Sequence, residues 1–166
     1  MDLLTPPPFR LYLMRHASAA WPGPGQSDFD RPLDARGYAE AELVAERAAD
    51  LGYRPDRVIV STARRCRETA EPLRRAFDEE LDIRFSDSLY HGSASVYAEI
   101  IAAQSDCQSV LLIGHNPSIE ELFGDLVGHE KSEPYAGTGY PPAGFAVLDS
   151  SDAGWSITRF LADKDR

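Results

Sequence analysis

The chain has 166 residues, 43% of them hydrophobic and 27% charged, which is enough apolar material for one buried core and the balance of an ordinary globular domain. Its net charge of −10 excludes nucleic acid or an anionic membrane surface as the main partner, since both require a dominant basic face, although a few converging arginines can still reverse the potential of one cleft. No apolar run is long enough to span a bilayer, and the two cysteines, Cys66 and Cys107, make neither a disulfide framework nor a metal-ligand spacing. The expectation is a single domain over residues 9–166 in a reducing cytoplasm, monomeric because no heptad or long apolar patch is evident. Residues 1–8 carry Asp2 and three consecutive prolines and lack the basic start and apolar core of a signal peptide, so they are expected to form an extended tail.

Residues 9–14 are apolar and aromatic apart from Arg10, the composition of a strand buried on both faces. Arg15 and His16 end it, and Ala17, Ser18, Ala19 and Ala20 leave room there for a tight loop and a ligand. Residues 21–30, rich in Pro, Gly, Ser and Asp, read as a loop long enough to cover a site. Asp34 is a fitting N-cap for a helix whose apolar positions Ala41, Val44, Ala45, Ala48 and Leu51 recur at helical spacing up to Gly52. Glu40, Glu42, Glu46, Arg47 and Asp50 would form its solvated face.

The run Arg-Val-Ile-Val-Ser over 57–61 predicts a second strand. Residues 62–77 have helical composition, with Pro72 leaving open whether they make one kinked helix or two. A strand over 81–85, a polar loop over 86–92 and a helix from Ser93 to about Gln104 come next. Residues 110–113 predict the next strand, and Pro117 opens a helix to about Gly128 with Ile119, Leu122, Phe123 and Leu126 on one face. Residues 130–142 lack periodicity and read as a loop. Two strands, 144–148 and 155–160, joined by the turn-forming run 149–154, predict a terminal hairpin. Strands alternating with helices before a hairpin give an α/β fold of three layers, a mainly parallel sheet flanked by helices on both faces with an antiparallel edge.

Three of these strands end alike: Met14 runs into Arg15-His16, Ser61 into Thr-Ala-Arg64-Arg65-Cys66-Arg67-Glu-Thr69, and Ile113-Gly114 into His115-Asn-Pro117. Parallel strands bring those ends to one edge of the sheet, where open α/β folds bind ligands. Two histidines and at least two arginines gathered there suit an anion. Arginine forks hold phosphoryl oxygens bidentately at any working pH, one imidazole can attack phosphorus if its other nitrogen donates to a fixed acceptor, and a second, protonated imidazole can donate to the phosphoryl group.

These motifs, in this order and at these intervals, resemble the histidine phosphatase superfamily, the phosphoglycerate-mutase-like group, over nearly the whole chain. The small size, the Arg-His-Ala variant, Asp30-Arg-Pro-Leu33 leading to Gly37, and Pro142-Ala-Gly-Phe-Ala-Val-Leu148 are similar to SixA-type phosphohistidine phosphatases. The resemblance implies that His16 is the nucleophile that becomes phosphorylated and that Arg15, Arg65 and His115 line the phosphate pocket. Arg65 is chosen over Arg64 and Arg67 because the family's arginine falls four residues after the strand-ending serine, which leaves those two as solvated or salt-bridged helix residues. Ser18 is a further candidate for touching phosphate, with capping of the turn as its alternative role. Ala17 stands where many members have glycine, as it also does in SixA-type members.

Larger members use a carboxylate as proton donor; Asp87, His91 and Glu99 are the candidates here, each weighed against a plain surface role. A phosphohistidine leaving group needs less help than an alkoxide. Cys66 is expected to be a packing residue and His129 the end of a helix. The expected activity is a metal-independent phosphohistidine phosphatase with no cofactor, acting on a phosphoprotein. The alternatives are a phosphomonoesterase for small phosphorylated metabolites and a non-catalytic phosphoprotein-binding module; a mutase would need water kept from the phosphoenzyme. If the substrate is a protein, the acidic surface of this chain requires a neutral or basic docking face.

Overall fold

The computed structural model describes residues 9–78 and 80–163. A six-stranded sheet is built from β1 (Arg10–Arg15), β2 (Arg57–Ser61), β3 (Ile83–Ser86), β4 (Ser109–Gly114), β5 (Phe145–Ser151) and β6 (Gly154–Leu161), in the spatial order β3-β2-β4-β1-β5-β6. The first four run parallel, with β1 and β4 in register from Arg10↔Ser109 to Arg15↔Gly114. β5 lies antiparallel on the other side of β1, pairing Leu13 with Ala146, and β6 is antiparallel to β5, so the hairpin forms the predicted edge.

Because alternate side chains leave a strand on opposite faces, the apolar run of β1 feeds two cores. Leu11 and Leu13 join Leu112 under α3 (Ser88–His91), α4 (Ala94–Ala102), α5 (Ser118–Val127) and α6 (His129–Ala136), where Leu89, Tyr97, Phe123 and Ala136 pack. Tyr12 and Met14 join Val58, Val60, Leu111 and Ile113 under α1 (Ala35–Asp50) and α2 (Arg64–Phe77), where Val44, Ala48 and Leu73 pack. Asp34 caps α1 by accepting from the Gly37 backbone at 2.7 Å, and Gly52, with φ +78°, lies just past its end.

The structure corrects several boundaries. Pro72 does not divide α2; the residue is itself buried, and packing holds the helix through the one missing N–H. The stretch 86–92, expected to be a loop, contains α3, and 130–142 contains all of α6 but its first residue. The buried positions of α6 are Ser132 and Ala136, four apart and both small, so its inward face carries no apolar period to read. The strands run into the expected turn on both sides, to Ser151 and from Gly154. Glu40, assigned to the solvated face of α1, is 2% exposed. The expected tail over 1–8 lies outside the described residues. Among the described residues no helix is long and apolar enough to cross a membrane.

Candidate functional site

The carboxyl ends of β1, β2 and β4 lie side by side, and the residues directly after each of them form one cluster. The His16 backbone donates to Gly114 O at 3.0 Å, so the chain leaving β1 stays stitched to the end of β4 beyond the last strand pair. This brings the rings of His16 and His115, 99 positions apart in the chain, to a centroid separation of 5.4 Å. From β2, Ser61 leads into α2, whose second residue, Arg65, is buried and points back at His115 with Nη2 3.4 Å from Nδ1.

The protonation pattern of the two imidazoles is set by their partners. His16 Nδ1 lies 2.7 Å from the Ala17 carbonyl oxygen, which can only accept, so Nδ1 carries the hydrogen and Nε2 keeps its lone pair. Burial pushes the pKa of His16 down to about 3, with His115, Arg65 and Arg15 adding in the same direction. A neutral, nucleophilic imidazole is therefore its state at neutral pH. In His115 the guanidinium of Arg65 is a donor, so Nδ1 accepts and Nε2 donates to Ser61 Oγ at 2.8 Å. Burial and then the charge of Arg65 push His115 down to about 4, against the opposing carboxylate of Asp28. His115 is thus neutral among its protein neighbours, and a dianion beside it is what would raise its affinity for a proton.

Arg15 donates from Nη1 to the Tyr140 carbonyl at 2.7 Å, while its buried Nε has no hydrogen-bond partner. A buried guanidinium donor without a partner is costly for the protein alone and well matched to an anion. Arg65 uses Nη1 and Nη2 on Asp28, bonding its backbone oxygen at 2.8 Å and its carboxylate at 3.1 Å. Two arginine guanidiniums and an imidazole with a free lone pair at one sheet edge have the chemistry to suit a tetrahedral anion. Among the described residues no group of three or more His, Cys, Asp or Glu side chains is arranged to hold a metal ion.

The surrounding shell explains why these side chains stay in place. The hydroxyl of Tyr97 donates to Leu89 O at 2.7 Å and accepts from the His115 backbone at 3.0 Å. Gly114 is required there, since a Cβ on it would come within 2.7 Å of the Tyr97 ring and hydroxyl. Behind His16, Thr69 accepts from the Ala17 backbone at 3.0 Å and donates to Arg65 O at 2.7 Å, tying the β1 loop to α2. The buried Glu40 accepts from the Ser18 backbone at 2.8 Å and from its hydroxyl at 3.0 Å. Gly37 lets α1 approach this closely: a Cβ there would lie 2.0 Å from Ser18 O.

His16, Arg15, Arg65 and His115 are thus brought together. Ser18 is near them in the chain, but its hydroxyl donates to the Glu40 carboxylate on α1 at 3.0 Å, a contact that is neither of the two expected roles. Arg64 is exposed and paired with Glu68, and Arg67 is exposed and donates to Thr62 O, so neither enters the cluster. Asp87 accepts from Thr62 Oγ1 at 2.6 Å, the His91 ring lies tilted 4.1 Å from that of Tyr90, and Glu99 is on α4; all three are exposed. Cys66 is fully buried 3.5 Å from His115 Nε2, and burial pushes its thiol up to about 12, so it stays protonated. His129, expected at a helix end, opens α6.

Two residues at the cluster are not foreseen from the sequence. Asp28, in the short 3-10 turn Asp28–Asp30, reaches Arg65 across 37 positions, and Tyr90, on α3, donates to its carboxylate at 2.6 Å. That hydrogen bond above all, with Arg31 and Arg65, holds Asp28 well below the usual carboxylate range. The acidic, Pro- and Gly-rich context of Asp28 carries no sign of a long-range partner, and Tyr90 lies in a stretch with the composition of a polar loop.

Comparison with known proteins adds four findings. The family model described as "Histidine phosphatase superfamily (branch 1)" matches residues 11–91, which contain His16 and Arg65. The crystal structure of a candidate phosphohistidine phosphatase SixA from Agrobacterium tumefaciens is similar at 45% identity, with a TM-score of 0.88 over 93% of this chain and 98% of that one. A corresponding structure from Nakamurella multipartitia is 28% identical with a TM-score of 0.73 over 92% and 95%. Among curated sequences, an uncharacterized chloroplastic protein from Arabidopsis thaliana is 33% identical over 129 residues, spanning 72% of this chain and 59% of the plant protein.

Proposed function

The chain belongs to the histidine phosphatase superfamily, and on that premise we propose that it is a phosphohistidine phosphatase that works without a metal through a covalent intermediate on His16, with a phosphoprotein as substrate. The observation that carries this reading is the His16 tautomer: Nδ1–H held by Ala17 O at 2.7 Å, leaving Nε2 unprotonated beside Arg15, Arg65 and His115. In the first step the Nε2 lone pair attacks phosphorus, and the N–P bond of the substrate breaks with its electron pair going to the departing imidazole, which takes a proton. In the second, water attacks the phosphohistidine formed on His16, releasing phosphate and restoring the free imidazole.

Arg15 and Arg65 neutralise the charge on the phosphoryl oxygens, and His115 Nδ1, the nitrogen that faces Arg65, becomes a donor once an anion raises its proton affinity. The similarity at 45% identity to a candidate phosphohistidine phosphatase supports an N–P substrate. A departing imidazole also places little demand on a proton donor, consistent with the peripheral placement of Asp87, His91 and Glu99. The test is hydrolysis of a phosphohistidine peptide and of an aryl phosphate in the presence of chelator, by the wild type and by His16→Ala. Both activities should survive chelation and vanish in the variant, with the peptide as the better substrate. Activity that persists in His16→Ala contradicts the mechanism, and a wild type that prefers the aryl phosphate contradicts the substrate.

A further inference from the structure

We propose that Phe29 and Tyr90 form an aromatic shelf on which the departing group rests, so that the site selects planar leaving groups over flexible alkyl ones. The inference deepens the phosphatase reading and rests on it. Phe29 comes from the 3-10 turn that carries Asp28, and Tyr90 from α3, yet their rings meet at 5.1 Å in an edge-to-face arrangement. His91 extends the group, 4.1 Å from Tyr90. The inner end of the shelf is the anion site itself: the Tyr90 ring lies 5.6 Å from His115, and the Arg65 guanidinium sits 5.8 Å over it.

The shelf lies on a side of the site open to water: Phe29 and Tyr90 are half-buried, as are Arg15 and His16, and His91 is exposed, whereas Arg65 and His115 are buried. A phosphoryl group carried by another protein can enter from that side. In-line attack by His16 expels the leaving group on the side of phosphorus opposite Nε2, the position the shelf would occupy. An imidazole breaking its N–P bond there, and keeping the electron pair as it takes a proton from solvent, is a flat ring beside aromatic rings, and its protonated form is attracted to their faces. The hydrogen bond from Tyr90 to Asp28 fixes the shelf before substrate arrives, so little ordering is left to do on binding.

The experiment compares kcat/KM for a phosphohistidine peptide, an aryl phosphate and an alkyl phosphate in the wild type, Phe29→Leu, Tyr90→Leu and Tyr90→Phe. The ratio of either planar substrate to the alkyl phosphate is expected to fall about 3- to 10-fold in both leucine variants and to hold in Tyr90→Phe, which keeps the ring and drops the hydroxyl. Unchanged ratios in the leucine variants overturn the proposal. So does an equal loss in Tyr90→Phe, which would assign the effect to the grip on Asp28. A wild type inactive on the peptide but with a ring-dependent preference for the aryl phosphate would retain the shelf and remove phosphohistidine as the substrate.

Discussion

The carboxylate of Asp28 accepts from Arg65 Nη2 at 3.1 Å while its own backbone oxygen accepts from Nη1 at 2.8 Å, so one residue of the loop after β1 holds the guanidinium proposed to bind the phosphoryl group. An internal anion competes with an incoming one. Replacing Asp28 with Asn removes the charge and keeps the backbone contact. The variant should bind orthovanadate, a phosphate mimic, roughly 2- to 5-fold more tightly, the scale of a partly exposed ion pair. Inhibition constants measured at fixed ionic strength check this; weaker binding would mean that Asp28 orients Arg65 rather than competing for it.

Glu40 is expected to act through Ser18. The buried Glu40 carboxylate accepts from the backbone and hydroxyl of the half-buried Ser18, two residues after His16. Glu40→Ala removes the acceptor of both donors, at a cost of about 1–3 kcal/mol in all, since the half-buried Ser18 hydroxyl can turn to water. Chemical denaturation should register that loss, and Glu40→Gln, which still offers an acceptor oxygen, should recover part of it.

A methyl group at position 114 would lie 2.7 Å from Tyr97. Gly114→Ala must displace the hydroxyl that holds the His115 backbone, and overpacking of this kind costs about 1–3 kcal/mol. Lower stability and a reduced kcat should appear together. Tyr97→Phe, which removes only the hydroxyl and leaves His115 N unpaired, should reproduce the activity defect with less loss of stability.

The two buried imidazoles make stability depend on pH. An unfolded histidine binds its proton near pH 6.5, whereas His16 and His115 bind theirs at about 3 and about 4. Between those values the unfolded chain carries more protons than the folded one, so their contribution is intact above pH 6.5 and stability falls as the pH drops through that window. Urea midpoints at pH 7 and pH 5 should therefore differ, with the lower value at pH 5. NMR titration should place both histidine midpoints below about 5, and normal midpoints with no loss of stability would contradict burial as the force that keeps these rings neutral.

Much of the site is legible in the sequence because it is carried by strand ends. The runs before Arg15-His16, up to Ser61 and before His115 are each apolar enough to be strands, and parallel pairing does the rest; β1, β2 and β4 converge as the pattern requires. The hidden part depends on chain crossing chain. Glu40 looks solvated because its neighbours on α1 are charged, and its burial comes with the Ser18 segment lying across it and Arg36 paired to its carboxylate. Asp28 and Tyr90 find each other across 62 positions from two segments that both have the composition of loops. The helix α6 is invisible to periodicity because it packs through Ser132 and Ala136, which leave no apolar signal.

Trapping the phosphoenzyme is the most direct test of the nucleophile assigned to His16. Rapid quenching of the wild type in alkali with a radiolabelled phosphohistidine peptide should leave one alkali-stable, acid-labile phosphoryl group per chain, mapped to the peptide containing His16 and absent from His16→Ala. Steady turnover with no label on His16, or label carried by another residue, would contradict the histidine-nucleophile mechanism.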